Sequence, residues 1–173
     1  MRQVVRGHEP YPAVAMGRRW NMLFANSAID VFLEGVDPAL LRPRVNMMRV
    51  GLHPSGYAPR LLNLAQVRAF LLPRLARQAA RTGDPELTAL YEDVRSYGPD
   101  DDPPPLDPAD IALPIRIRHQ GTELTFISTV TTFGTAFDIT LDDIAVEAFF
   151  PGDATTIHHF GRVPGRRAGE LTN

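Results

Sequence analysis

The stretch that most constrains this chain runs from residue 121 to residue 153. Within it, residues 123–133 read Glu-Leu-Thr-Phe-Ile-Ser-Thr-Val-Thr-Thr-Phe, a run rich in β-branched and aromatic side chains. Such a run predicts a strand. Side chains alternate along a strand, so Leu124, Phe126, Ser128 and Val130 share one face, and Thr125, Ile127, Thr129, Thr131 and Phe133 the other. With apolar groups on both faces, the expectation is a strand covered on both sides. Gly134 interrupts it, and residues 144–150 resume a period of two with Ile144, Val146, Ala148 and Phe150 aligned. Upstream, Ile115-Arg-Ile-Arg alternates and meets Glu123 across the short Gln120-Gly121 turn. Three consecutive strands of this kind predict an antiparallel meander that the rest of the chain must cover.

A chain of 173 residues is long enough to do so within one domain, burying about 70% of its unfolded surface. With 44% hydrophobic and 22% charged residues it has the balance of a soluble globular protein. It contains no cysteine, which excludes disulfides and thiolate chemistry. No apolar run approaches the ~20 residues that span a bilayer, and a cytoplasmic location is expected. The net charge is −2 and the basic residues, all arginine, are scattered, so the electrostatic footprint of nucleic-acid binding is missing.

Taken in order, residues 1–10 read as the end of a linker helix stopped by Pro10-Tyr-Pro12. Residues 13–16 and 20–25 read as two strands around a Gly17-Arg-Arg turn, the second with Trp20, Met22 and Phe24 on one face. Asn26 or Ser27 is placed to cap a helix with the stripe Ala28, Ile29, Phe32, Leu33, Val36. Residues 40–50 suggest one short helix and 51–56 a loop. Asn63 is placed to cap a helix that runs to Thr82 and closes at Gly83, with Pro73 inside it predicting a kink or split near Leu72. Arg74, Arg77 and Arg81 fall on one face of that helix, read as solvated. Asp84-Pro85 starts another helix with the stripe Leu87, Leu90, Tyr91, Val94, ended by Gly98. Residues 98–110, with five prolines and five aspartates, read as a flexible acidic connection. Thr140 with Asp143 resembles a capping box, Asp153 is placed to cap a last short helix through Ile157 to Phe160, and residues 161–173 read as a flexible tail.

Two strands, several helices and three strands are most economically an α+β fold, a five-stranded antiparallel sheet with helices packed on one face. Between the two layers the candidate walls of a cavity are Trp20, Met22, Phe24, Phe32, Met47, Met48, Phe70, Phe126 and Val130. Methionines and aromatics suit an adaptable apolar pocket, and they equally suit a filled core. Ser128, with Thr129, Thr131 and Thr132, adds hydroxyls that could orient a polar ligand group.

Catalytic constellations are sparse. No Gly-x-Ser-x-Gly elbow, phosphate-cradling loop or dinucleotide fingerprint occurs. His8, His53, His119, His158 and His159 show no ligand spacing, so neither a metal nor another cofactor is expected. One buried carboxylate on a cone-shaped sheet could still act as a general base, which keeps an isomerase-like enzyme as an alternative.

A resemblance then adds to this reading. The run Ser128-Thr-Val-Thr-Thr-Phe-Gly-Thr-Ala-Phe-Asp-Ile-Thr-Leu-Asp-Asp-Ile-Ala-Val-Glu-Ala-Phe-Phe-Pro-Gly-Asp-Ala-Thr-Thr156 resembles the C-terminal signature of MmyB-like transcription regulator ligand-binding domains. Tyr11-Pro-Ala-Val, Arg19-Trp-Asn, Ala25-Asn26, the block from Asn46 to Gly56, Asn63-Leu and Asp84-Pro-Glu-Leu-Thr-Ala-Leu90 resemble the family's other blocks, in its order. The resemblance implies a PAS-like domain over 11–160 and a non-enzymatic, effector-sensing role in a bacterial transcription regulator. It implies a fatty-acid-like ligand between sheet and helices, and a possible homodimer. It also implies DNA contact only through an Xre-type helix-turn-helix, a domain expected to be missing from this sequence. An acid head group would need a cation, and Arg49, Arg68 and Arg74 are the candidates. A PAS-like module that only dimerises is a further alternative. Pro73, inside a helix usually continuous in such domains, departs from the family pattern.

Overall fold

The computed structural model describes residues 1–98, 113–132 and 144–161. Gln120 and Gly121 take φ of 47° and 77°, so both central residues of the turn are left-handed. They close a two-residue hairpin between β3 (Pro114–His119) and β4 (Thr122–Thr132), a turn whose twist matches that of its strands. β5 (Ile144–Pro151) returns antiparallel to β4, which completes the meander. β1 (Ala13–Gly17) pairs with the free edge of β5, and β2 (Met22–Ala25) pairs with β1. The sheet therefore has the order β2-β1-β5-β4-β3 and is antiparallel throughout. The fold is α+β.

The register decides which residues meet the helices. Ser128 lies beside Phe149 and Val130 beside Glu147. Glu147 also lies beside Val14, and Phe126 beside Ile115. One face thus carries Val14, Met16, Ile117, Leu124, Phe126 and Phe149 into the main core. α2 (Asp30–Leu33), α3 (Met47–Leu52), α4 (Leu64–Thr82) and α5 (Pro85–Arg95) supply the opposing layer, with Phe32, Met48, Leu75, Leu87 and Val94 buried in it. On the other face α1 (Arg2–Gly7) drops Val5 onto Ala13, Ala15 and Val146, a small second cluster. α6 (Ala154–Gly161) docks at the end of β4, where the Thr125 amide donates to the Thr156 hydroxyl at 2.8 Å and Asp153 caps the helix through the Thr156 amide.

Several expectations change. The strand pair 13–16 and 20–25 has its second member starting only at Met22, and the register slips between Ala15 and Met16 so that Leu23 is extra. This bulge separates the presumed apolar face. Met22 stays on the helix side beside Met16, whereas Phe24, beside Ala15, joins Val5 in the second cluster. β4 is not covered on both sides, since Thr129 and Thr131 are exposed. Its β-branched residues reflect strand propensity rather than double burial.

Residues 40–50 are not one helix. A 3-10 turn, Pro38–Leu41, is followed by Pro43, and α3 begins at Met47 and runs through Gly51 to Leu52. Pro43 lacks the amide that a continuing helix needs. α4, by contrast, is continuous through Pro73. Pro73 and Ala69, whose carbonyl loses its partner, are both exposed, so water can satisfy the orphaned oxygen. Gly83 closes α4 with φ of 63°, and the Asp84 carboxylate accepts the Glu86 amide at 2.9 Å to start α5.

Asn26 and Asn63 occupy N-cap positions but spend their side chains elsewhere. Asn26 accepts from the Ala13 amide and donates to the Val5 and Tyr11 carbonyls, tying α1 to β1. Asn63 accepts from the Arg116 amide and donates to the Pro114 carbonyl, which helps cover the outer edge of β3. The Thr140–Asp143 box, residues 99–110 of the acidic connection and residues 162–173 of the tail lie outside the described residues.

Candidate functional site

Along β4 the side chains facing the helices shrink from Leu124 and Phe126 to Ser128 and Val130. At the large end the core is full. Phe32 meets Phe149, Phe126 and Tyr57 with ring centroids 4.8, 5.4 and 5.4 Å apart. At the small end a chamber of about 270 Å³ opens between the sheet, α3 and α4. An apolar cavity of ~150 Å³ takes up one benzene ring, so this chamber has room for a ligand well beyond that size.

Trp20, Met47, Met48, Phe70, Ser128, Val130 and Arg74, seven of the residues singled out from sequence, line the chamber together. Four others do not. Phe32 and Phe126 are fully buried behind it, Met22 packs into the main core, and Phe24 lies across the sheet under the Arg2 guanidinium. Tyr57, Phe149 and Glu147 line it as well and were missed. Glu147 is one acid among several in the sequence. The signal for its position is the strand register, which sets it beside Val130 on the helix-facing side.

Glu147 gives the chamber a polar corner. Burial raises its carboxyl above the ordinary carboxylate range, while a hydrogen bond with Ser128 and the charge of Arg74 pull the other way. A carboxyl so placed keeps a proton more readily than a surface glutamate, and can both donate and accept. Burial, and next the proximity of Glu147, push the Tyr57 phenol up. A Cβ at residue 51 would come within 2.9 Å of the Tyr57 hydroxyl, so glycine at 51 makes room for it. Of the four hydroxyls considered, Ser128 faces the chamber and Thr132 faces the neighbouring cleft, while Thr129 and Thr131 point to the opposite, exposed face.

The three candidate cations separate cleanly. Arg49 is spent on Asp93 at 2.6 Å at the surface. Arg68 is buried and donates to the carbonyls of Val94, Arg95 and Gly98, where it caps the end of α5. Arg74 alone of the three lines the chamber, with its guanidinium 5.9 Å from the Trp20 ring.

Trp20 stands at the mouth in a left-handed conformation, φ 64°, that a bulky residue rarely holds. Its neighbours fix it there. Its indole donates to the Gln78 side chain at 2.9 Å, and Gln78 in turn donates to the Arg18 carbonyl. The Trp20 carbonyl accepts the Met47 amide, while Asn46 donates to the Arg19 carbonyl and to Asn21 and caps α3 through the Arg49 amide. Beyond Trp20 a second, more open cleft of about 660 Å³ shares Trp20, Arg74 and Val130 with the chamber. Among the described residues no group of three histidine, aspartate or glutamate side chains is placed to hold a metal ion. No described helix is long and apolar enough to cross a membrane.

An antiparallel sheet with a lined cavity under its helices defines a class of α+β domains with an internal chamber. Within that class the chain belongs to the MmyB-like transcription regulator ligand binding domain family, whose model matches residues 1–160. It is accordingly a ligand-binding domain of a transcription regulator. Neither the curated proteins nor the solved structures give a match.

Proposed function

We propose that this domain senses a small amphipathic effector, an aliphatic chain with an acidic end, held between the sheet and α3–α4. The strand order and the helices inserted between β2 and β3 support a PAS-like arrangement. The observation that carries the reading is the chamber itself. It is lined by methionine, aromatic and aliphatic side chains that adapt to a flexible chain, and Arg74 at the mouth offers the counter-charge. Each buried methylene contributes ~0.8 kcal/mol, and ordering and association costs reduce the sum to micromolar-scale binding. Occupancy would be read by a DNA-binding domain elsewhere in the regulator, because the helices of the opposing layer commit their apolar stripes to this core. Homodimerisation and a cytoplasmic setting belong to the same proposal.

Val130→Trp tests it. Val130 is 38% exposed at the chamber mouth, so the larger ring fills free space rather than packed core. The expected outcome is loss of alkanoate binding by on the order of a hundredfold, with the melting temperature unchanged or raised. A packed core would instead lose about 1–3 kcal/mol on overpacking. A clear loss of stability, with no lipid in native mass spectra of the parent protein, would overturn the sensor reading.

Glu147 supports one other reading. A half-buried carboxyl with a raised proton affinity beside an apolar chamber is also what a general base for an isomerase requires. Turnover of a bound carbonyl compound that Glu147→Gln abolishes would favour the enzyme; binding without turnover favours the sensor.

A further inference from the structure

Among the described residues that line the chamber, Arg74 supplies the one guanidinium and Glu147 the one carboxyl. Arg74 reaches the chamber from α4 beside Trp20, and Glu147 from β5, next to Val130 in the strand register. Ser128 shares a hydrogen bond with the Glu147 carboxyl and the charge of Arg74 acts on it, so the three make one polar corner in a mainly apolar wall. An effector with an acidic end brings a second carboxyl to that corner, where a single guanidinium must serve both. Resting on the sensor reading above, we propose that Glu147 recognises the effector's acid group. Its carboxyl keeps a proton in the complex and donates it in a hydrogen bond to the effector's carboxylate, while Arg74 balances the one remaining negative charge.

Two carboxyl groups that share a site do not both stay ionised, and the pair retains one proton between them. In the empty chamber burial favours the neutral form of Glu147, whereas Ser128 and Arg74 favour the charged one. A bound carboxylate engages Arg74 and displaces water. It thereby weakens one influence that favours the charge and strengthens the burial that opposes it. Effector binding therefore draws a proton from solvent onto Glu147 wherever the empty domain has released it. The other groups around the corner do not titrate near neutral pH. Arg74 stays charged, and the Tyr57 phenol is pushed above its ordinary value, by burial first and by Glu147 next. Met47, Met48 and Phe70 on the helix side have nothing to ionise, and no described histidine lines the chamber.

Calorimetric titration of the whole chain with decanoate and with 1-decanol, between about pH 6 and about pH 9, tests this directly. Decanoate is ionised throughout that range, so its own titration does not enter. Its affinity is expected to fall by about tenfold or more as the pH rises, as one linked proton produces over about one pH unit. At the steepest part of the fall the heat of binding should depend on the ionisation enthalpy of the buffer, with a proton uptake approaching one. 1-Decanol adds no charge, and its affinity should change by under about threefold over the same range. Glu147→Gln keeps a donor of the same size that cannot ionise, and in it the affinity for decanoate should stay level within about twofold. The buffer-dependent heat of the parent protein decides the question by itself should the variant fail to fold. An affinity for decanoate that is level with pH in the parent, or a fall that survives in Glu147→Gln, would overturn the inference while leaving the sensor reading intact. An equal fall for 1-decanol would mean that loss of water alone protonates Glu147, and would likewise overturn it. Binding of 1-decanol without decanoate would overturn it together with the acidic end of the effector. If neither compound binds at any pH, the sensor reading fails and takes this inference with it.

Discussion

The two ends of the space between sheet and helices are built by the same strands and filled to opposite degrees. Around Phe32, Phe126 and Phe149 the aromatic rings interlock, and Leu124 and Phe126 are wholly buried. Two and four residues further along β4, Ser128 and Val130 leave the helices without a partner, and Val130 is 38% exposed. The contrast teaches that a cavity need not be carved by an unusual backbone. One strand that steps from large to small side chains, opposite an acidic residue that no apolar neighbour can pack on, is sufficient.

The largest test of this contrast is at the filled end. Phe126→Ala should cost about 3–5 kcal/mol in urea denaturation, as expected when a wholly enclosed ring leaves a cavity behind. Phe70→Ala, on the chamber wall and 48% exposed, should cost under about 1 kcal/mol while weakening alkanoate binding. Equal losses for the two would break the distinction.

A smaller effect separates the ends by pH. Burial raises the Glu147 carboxyl in the folded state, so the fold binds this proton more tightly than the unfolded chain does. The contribution to stability is fully present below the ordinary carboxyl pKa and is lost as the pH climbs through the raised value. Glu147→Gln should therefore match the parent near pH 4. At about pH 8 it should melt higher than the parent, since the variant carries no charge to bury. A constant offset at both pH values would mean that the carboxyl is not buried against the chamber.

The smallest test concerns Gly51. A Cβ there would lie 2.9 Å from the hydroxyl of Tyr57, a residue of the chamber wall, which must therefore shift. Gly51→Ala is expected to weaken alkanoate binding several-fold with a stability change under about 1 kcal/mol. Unaltered affinity in titration would show that Tyr57 does not set the chamber's width.

Much of the framework is readable in the sequence because its signals are local. Gln120-Gly121, Gly83 and Asp84-Pro85 each demand a particular backbone, and the structure has it at each place. The site is less readable because it depends on register. Ile144, Val146, Ala148 and Phe150 form the more apolar side of β5, yet the side facing the helices holds Ala145, Glu147 and Phe149. Only the pairing with β4 decides this, and a shift of one residue would reverse it. Phe24 was lost to the cavity by a single extra residue at Leu23, which no periodicity reveals. Asn26 and Asn63 sit where caps belong, but their partners lie on other elements.

Trp20 is the only tryptophan in the chain. It lines both cavities, lies 5.9 Å from a guanidinium and has its N–H pinned to Gln78. Its emission therefore comes from one site and one environment, without a second indole to dilute it. A molecule entering from either side must change the polarity around that ring. The domain thus carries its own optical reporter of occupancy, and a fluorescence titration of the unlabelled protein can follow the filling of both spaces.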